Sequence, residues 1–250
     1  MVTRVKKLKD FRAEDKALIV GLPGMGRVGY VAANYVLSKL GGELVAEIYS
    51  TSFPPHLIVR KGGISELFLG KLFETDEALI FTADTQPQNP EGQNEICDAL
   101  LNFLSKEGDG LRSVIATAAY VVPSISEPRK TFVVGNNSEF LEELKALGTV
   151  TLDDGVIMGI NGAVIGWARY YSVKGAVLLG ETWATIVEFD ETDYRAAKAV
   201  VEVLRKYLGV EIDSDELEVL AQKTESRIKE ALTRLTKVQM PEQKSRKEVL

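Results

Sequence analysis

Apolar residues along the chain follow two alternating rhythms. Short continuous runs occur at ALIVGL (17–22), LVAEIYS (44–50), EALIFTA (77–83), SVIATAAYVV (113–122) and AVLLGET (176–182), rich in β-branched residues. Runs of this length and composition predict strands buried on both faces. Between them, apolar positions recur at three- and four-residue steps, which predicts helices over 28–40, 92–106, 138–147 and 193–208. Strands and helices alternating at this interval predict an α/β fold with a largely parallel sheet covered on both faces.

Two segments depart from the rhythm. In HLIVRKGGISELFLGKLF (56–73), two apolar runs flank Lys61-Gly62-Gly63, the pattern of a hairpin inserted between units. From Asp215 onward, Leu217, Leu220, Thr224, Ile228, Leu232 and Leu235 form one stripe between charged residues. That is an amphipathic helix, with Ser214 as its N-cap, stopping before Pro241 and followed by a polar tail. A core domain over 1–212 and a C-terminal amphipathic helix with tail over 213–250 are expected. The stripe must be buried on its own core or against a neighbouring subunit.

Composition narrows the function classes. Hydrophobic residues at 45% and charged residues at 26% of 250 suit a soluble globular chain with a substantial core. The net charge of −6 argues against nucleic-acid binding, which relies on Lys and Arg displacing counterions. The apolar stretches are interrupted well short of a membrane span. The charged N-terminal run MVTRVKKLKDFRAEDK lacks the apolar centre of a signal peptide, so a reducing cytoplasm is expected. Cys97 is the one cysteine, which leaves no intramolecular disulfide and no cysteine cluster for zinc. It reads as a small buried apolar residue.

Candidate chemistry centres on GLPGMGRVG (21–29), where Gly24, Gly26 and Gly29 stand at the G-x-G-x-x-G spacing of a dinucleotide-binding turn. Such a site needs an acid at the lip of the second strand. The nearest one, Glu47, lies inside LVAEIYS with three strand-like residues after it. No Gly-Lys-Ser/Thr of a phosphate loop is present. The preferred reading is a structural glycine loop, whose small residues let a helix pack tightly against a strand. His56 has no second histidine for a metal site, and a structural or interface role suits it better. Asp84, in Asp84-Thr85-Gln86-Pro87, ends a predicted strand where α/β enzymes place catalytic groups, yet an Asp there also forms turns. Asp153 and Asp154 before Gly155 read equally as a cation site or a turn. No catalytic residue, cofactor or metal is expected. The glycine-dense segment 155–183 reads instead as close backbone packing, with a helix from about Asn161 whose Gly162, Ala163 and Gly166 face a strand or a partner helix.

Taken together, GLPGMGRVG (21–29), the Asp84–Pro87 loop, and GINGAVIGWA followed by GAVLLGET (159–182) resemble the proteasome assembly chaperone 2 family in its archaeal branch. The resemblance covers roughly residues 10 to 210. It implies a three-layer α/β/α sandwich similar to the nucleoside phosphorylase fold, with no catalysis. It also implies a homo-oligomer, in some members a cyclic ring, that assists or caps the proteasome core particle. Proteasome-binding relatives insert a C-terminal tail ending in a hydrophobic residue, Tyr and any residue between α-ring subunits. This chain has Glu248 and Val249 at the first two of those places and ends at Leu250. The departure argues against direct docking on the α subunits and leaves Glu248, Val249 and Leu250 as partner-contact residues for a differently used tail. A different class of function, a small-molecule or nucleotide-binding enzyme of phosphorylase-like fold using the Gly24–Gly29 loop and Asp84, stands as the alternative.

Overall fold

The computed structural model describes residues 2–107 and 110–239. The five apolar runs form strands β2 (Ala17–Val20), β3 (Glu43–Ser50), β7 (Ala78–Ala83), β8 (Ser113–Val122) and β11 (Gly175–Trp183). Four further strands join them: β1 (Thr3–Lys7), β6 (Gly70–Glu74), β9 (Thr131–Gly135) and β10 (Val150–Thr151). The resulting nine-stranded sheet has the order β1-β3-β6-β7-β2-β8-β11-β9-β10. The hairpin predicted around Lys61-Gly62-Gly63 forms a separate two-stranded sheet of β4 (Leu57–Val59) and β5 (Ser65–Leu67).

The sheet is mixed rather than largely parallel. Its centre, β7-β2-β8-β11, is parallel. Strands β1, β3 and β6 run antiparallel to their neighbours on one side, as does β9 against β11 on the other. The connections explain this. Strands β6 and β7 are joined by a tight turn at Thr75, whose N–H and hydroxyl both bond to Ala78, and a turn that short permits only antiparallel pairing.

Helices α2 (Pro90–Leu104) and α4 (Ile160–Tyr170) cover one face of the sheet. Helices α1 (Val28–Leu40), α3 (Ser138–Ala146) and α6 (Tyr194–Leu208) cover the other. Alternation along β2 divides the core: Leu18 and Val20 pack with Ile96, Leu100 and Val164, whereas Ile19 packs with Ala32, Val36 and Val200. Asn89, Asn137 and Asp193 cap α2, α3 and α6 by accepting from backbone N–H groups three residues on. A short helix, α5 (Ala184–Glu188), links β11 to α6.

The C-terminal helix α7 (Asp215–Gln239) lies outside α6 and buries Leu217, Ala221, Thr224 and Ile228. An ionic seam accompanies the apolar one: Arg195 pairs with Glu218 (2.6 Å) and Glu225 (2.7 Å), and Lys198 with Glu218 (3.1 Å). Burial opposes ionisation of Glu218, but hydrogen bonds from Arg195, Lys198 and Gln222 outweigh it and hold the carboxyl down at about 2. Ser214 does not cap α7 with its side chain. Its hydroxyl donates to Glu202 on α6 (2.7 Å), and the Asp215 N–H bonds to Asp213 instead. Beyond Ile228, Ala231 and Leu232 are half-buried, whereas Lys229, Glu230 and Leu235 are exposed.

Candidate functional site

In an open sheet with a parallel centre, the crevice for a ligand lies beyond the carboxyl ends of the strands. Three segments meet there: the glycine turn after β2, residues 84–87 after β7, and residues 152–160 leading into α4. The glycine turn is held by steric necessity. A Cβ at Gly29 would lie 2.0 Å from the Thr117 carbonyl oxygen on β8, and one at Gly21 would lie 2.4 Å from both Ala33 Cβ and Gly29 O. Gly26 has φ +55°, in the left-handed region. Gly24 is extended, and a Cβ there would come no closer than 3.8 Å to Gln86 Nε2. The first turn of α1 therefore rests on the backbone of β8. Gly21, outside the fingerprint, is among the tightest positions.

Two amides lace the segments together. Buried Asn161 accepts from Leu22 N–H and donates to Leu22 C=O, both at 3.1 Å, in the manner of a neighbouring strand. Gln86 donates to Pro23 C=O (2.5 Å) and accepts from Ile160 N–H (3.2 Å). They close a cleft of about 270 Å³ whose wall is mainly apolar, with Leu22, Met25, Tyr120, Leu152, Ile157 and Leu179. Both amides are held by backbone partners at each end, which fixes their orientation in the cleft.

Of the remaining sequence candidates, Asp154 lines this cleft and the others do not converge on it. Asp84 is tied to Arg60 of the hairpin at 2.8 Å, and Arg60 also pairs with Glu66 (2.5 Å). Burial pushes the nearby Tyr30 phenol above its usual range, and the Asp84 carboxylate adds to the shift. Exposed His56 lies edge-on to Phe68. Glu47 accepts from Tyr49 OH at 2.8 Å on β3. Strand β3 is separated from β2 by β6 and β7, so the strand that would carry a ribose-binding acid lies about 14 Å away instead of adjacent. Asp153 and Asp154 are exposed, and no metal-holding group of His, Cys, Asp and Glu occurs among the described residues. Cys97 is buried, and desolvation pushes its thiol far above the ordinary range, leaving it inert. Gly162 packs on the preceding loop at Ile157, whereas Gly166 faces open space, not a strand. Glu248, Val249 and Leu250 lie outside the described residues.

An ionic knot with no local signature in the sequence lies behind the glycine turn. Arg129 and Asp193, each with a side chain only 1% exposed, pair at 3.0 Å. Arg129 also donates to Glu181 C=O (2.8 Å). Asp193 accepts from Trp183 N–H (3.1 Å), and its own N–H bonds to Gly26 C=O (2.9 Å). The Glu181 carboxylate accepts from the Ser126 N–H and hydroxyl and from Lys130 N–H. These groups fasten the 126–130 loop, β11, α6 and the glycine turn to one another. Arg129 Nη2 also lies 3.7 Å from Glu225 on α7, while Arg129 Nε and Nη2 are buried without a hydrogen-bond partner among the described residues, so the Arg129–Asp193 pair binds four segments together without satisfying every donor.

Around the mouth of the cleft, next to the exposed Asp154, apolar side chains stand in the open. Val156 (89% exposed) and Met158 (80%) project from the loop before α4, and Met25 projects from the glycine turn. Leu57, Val59, Ile64 and Leu67 are exposed on the hairpin, which the Arg60–Asp84 pair anchors over the carboxyl end of β7.

Comparison with known proteins gives a consistent picture. The sequence model of the PAC2 family matches residues 18–232. The crystal structure of Pyrococcus furiosus PbaB, described as an archaeal proteasome activator, has a TM-score of 0.81 at 28% identity, covering 92% of this chain and 98% of that one. P. furiosus PbaA, described as an archaeal homolog of proteasome-assembly chaperone, has a TM-score of 0.78 at 28% identity, covering 94% of each chain. The uncharacterized protein MJ1210 of Methanocaldococcus jannaschii is 28% identical over 218 residues, covering 85% of this chain and 82% of the relative.

Proposed function

The chain belongs to the PAC2 family, and we propose that it works without catalysis, as a homo-oligomeric, chaperone-like protein acting through protein contacts. Its partners in this reading are proteasome subunits or a co-expressed protein, in the cytoplasm, with no cofactor. One observation carries the proposal. At the carboxyl end of the sheet, where an enzyme of this topology would orient a substrate, Gln86 and Asn161 are committed to the chain's own backbone, while the rim exposes Met25, Val156, Met158 and the hairpin apolar residues. Exposed apolar surface of this kind serves macromolecular contact better than small-molecule recognition. The descriptions of PbaB and PbaA as a proteasome activator and a homolog of proteasome-assembly chaperone support the same direction.

Glu248, Val249 and Leu250 are the proposed tail contacts. No helix among the described residues is long and apolar enough to cross a membrane. The direct test is capture of the proteasome α-ring by the full chain and by a chain lacking residues 241–250. Binding lost on truncation supports tail-mediated contact; absence of binding by the full chain rejects the proteasome as partner. Native mass measurement addresses assembly, and a strict monomer at micromolar concentration rejects the homo-oligomer. A thermal-shift panel of nucleotides and dinucleotides covers the enzymatic alternative. A bound ligand at 100-fold its dissociation constant stabilises a fold by about 2.7 kcal/mol, so a clear shift would overturn the non-enzymatic reading.

A further inference from the structure

On the sheet face opposite α1, helices α2 and α4 lie side by side and leave a groove of about 560 Å³ between them. Ala163 and Gly166 line it, Trp167 and Tyr170 form one side, and Asn94 and Asp98 the other. Gly166 sits inside a regular helix, where glycine is the poorest residue short of proline. Among the described residues nothing within 4 Å would meet a Cβ at that position, so none of them requires its absence. The missing side chain leaves room for a group from outside.

The walls indicate which group. The Trp167 and Tyr170 rings stand nearly perpendicular, at 73°, with centroids 5.7 Å apart. Tyr170 is 74% exposed, an unusual position for a large aromatic residue, and stands edge-on to the rings of Trp167 and Tyr171. Asn94 donates to Pro90 C=O and accepts from Trp167 Nε1–H. Asp98 Oδ1 accepts from Tyr171 OH at 2.6 Å, and Oδ2 has no partner among the described residues. The charged group lining the groove is thus the Asp98 carboxylate, beside two aromatic faces. Aromatic faces attract cations, and a planar guanidinium can stack on a ring while pairing with a carboxylate. Trp and Tyr are also the residues that anchor protein interfaces.

We propose that the α2–α4 groove docks an arginine side chain presented by a protein partner, stacked on Trp167 and Tyr170 and paired with Asp98. The contact needs neither a proteasome subunit nor the C-terminal tail, so its fate is separate from that of α-ring binding.

The test uses the full chain labelled with ¹⁵N and titrated with N-acetyl-arginine amide at constant ionic strength. The chain has two tryptophans, and the indole N–H signals of Trp167 and Trp183 report independently. A saturable shift at Trp167 with Trp183 unmoved is expected. Asp98→Asn, which can still accept from Tyr171, should weaken binding about two- to fivefold. Gly166→Gln, placed in open space and compatible with the helix, should abolish it by filling the groove. An equal response to N-acetyl-leucine amide would assign the groove to an apolar occupant and overturn the proposal. Unchanged affinity in either variant, or no saturable shift at Trp167, would do the same.

Discussion

Replacing Gly29 with alanine places a methyl group 2.0 Å from the Thr117 carbonyl oxygen and 2.6 Å from its carbonyl carbon. Ordinary contact begins near 3.4 Å, so α1 and β8 must separate by about 1.4 Å. Neither side can yield cheaply, because both atoms belong to the backbone of central elements. Overpacking a core typically costs 1–3 kcal/mol, and a clash between two backbones belongs at or above the upper end, about 3 kcal/mol. For a chain of this length that lowers the melting temperature by about 6–12 °C. Gly24→Ala supplies the matched control. Its extended backbone suits any residue, and its new methyl group meets nothing closer than 3.8 Å, so the change should stay within about 0.5 kcal/mol. Calorimetric or circular-dichroism melts of both variants, at one protein concentration, measure the difference. Wild-type melting in Gly29→Ala, or equal destabilisation by the two, would refute a helix seated on β8. A dinucleotide site makes the contrary forecast, in which Gly24→Ala loses a ligand-dependent shift while keeping its stability.

Three further outcomes follow from the geometry. Asp193→Ala strands the buried Arg129 guanidinium and removes the α6 cap; a loss of about 3–5 kcal/mol is expected in urea titration, and a loss below 1 kcal/mol would refute the knot's structural role. Asn161→Ala leaves Leu22 N–H and C=O without their partner, costing at least about 2 kcal/mol, and an unchanged urea midpoint would show that the lacing is dispensable. Glu218 has a folded-state pKa depressed to about 2, so its ionised form adds stability above its ordinary carboxylate range, and that contribution fades as the pH falls through the folded value. The stability gap between wild type and Glu218→Gln should accordingly be constant above about pH 5, shrink below it and close towards pH 2; a gap independent of pH would contradict the seam.

The legible parts of the fold were those carried by local pattern. The span of α1 and that of β8 coincide with their sequence predictions because each is a long run of one periodicity. Strand β1, TRVKK, escaped because it lies at the sheet edge and is mostly exposed, so it has no apolar run to detect. The antiparallel flank was hidden because chain direction follows from connections, and the second apolar run of 56–73 divides between β5 and β6. At the candidate site, the glycine turn was visible as spacing, but its cause was not. The atoms that enforce it belong to Thr117 and Ala33, well removed along the chain. Nor could any local signal join Arg129 to Asp193, which are 64 residues apart, or separate Gly162, packed on its own loop, from Gly166 in the open.

The outer part of α7 acts as a phase-setting spacer. Between Ile228, buried on the core, and Gln239 lie eleven helical steps, about 16 Å of rise. Gln239 therefore ends the helix at a set height along its axis and at a set compass bearing relative to Ile228. Inserting a single residue in this stretch turns the bearing by about 100° while adding little height, whereas inserting seven nearly restores the bearing and raises it by about 10 Å. Direction and reach can thus be varied separately, without altering a buried residue.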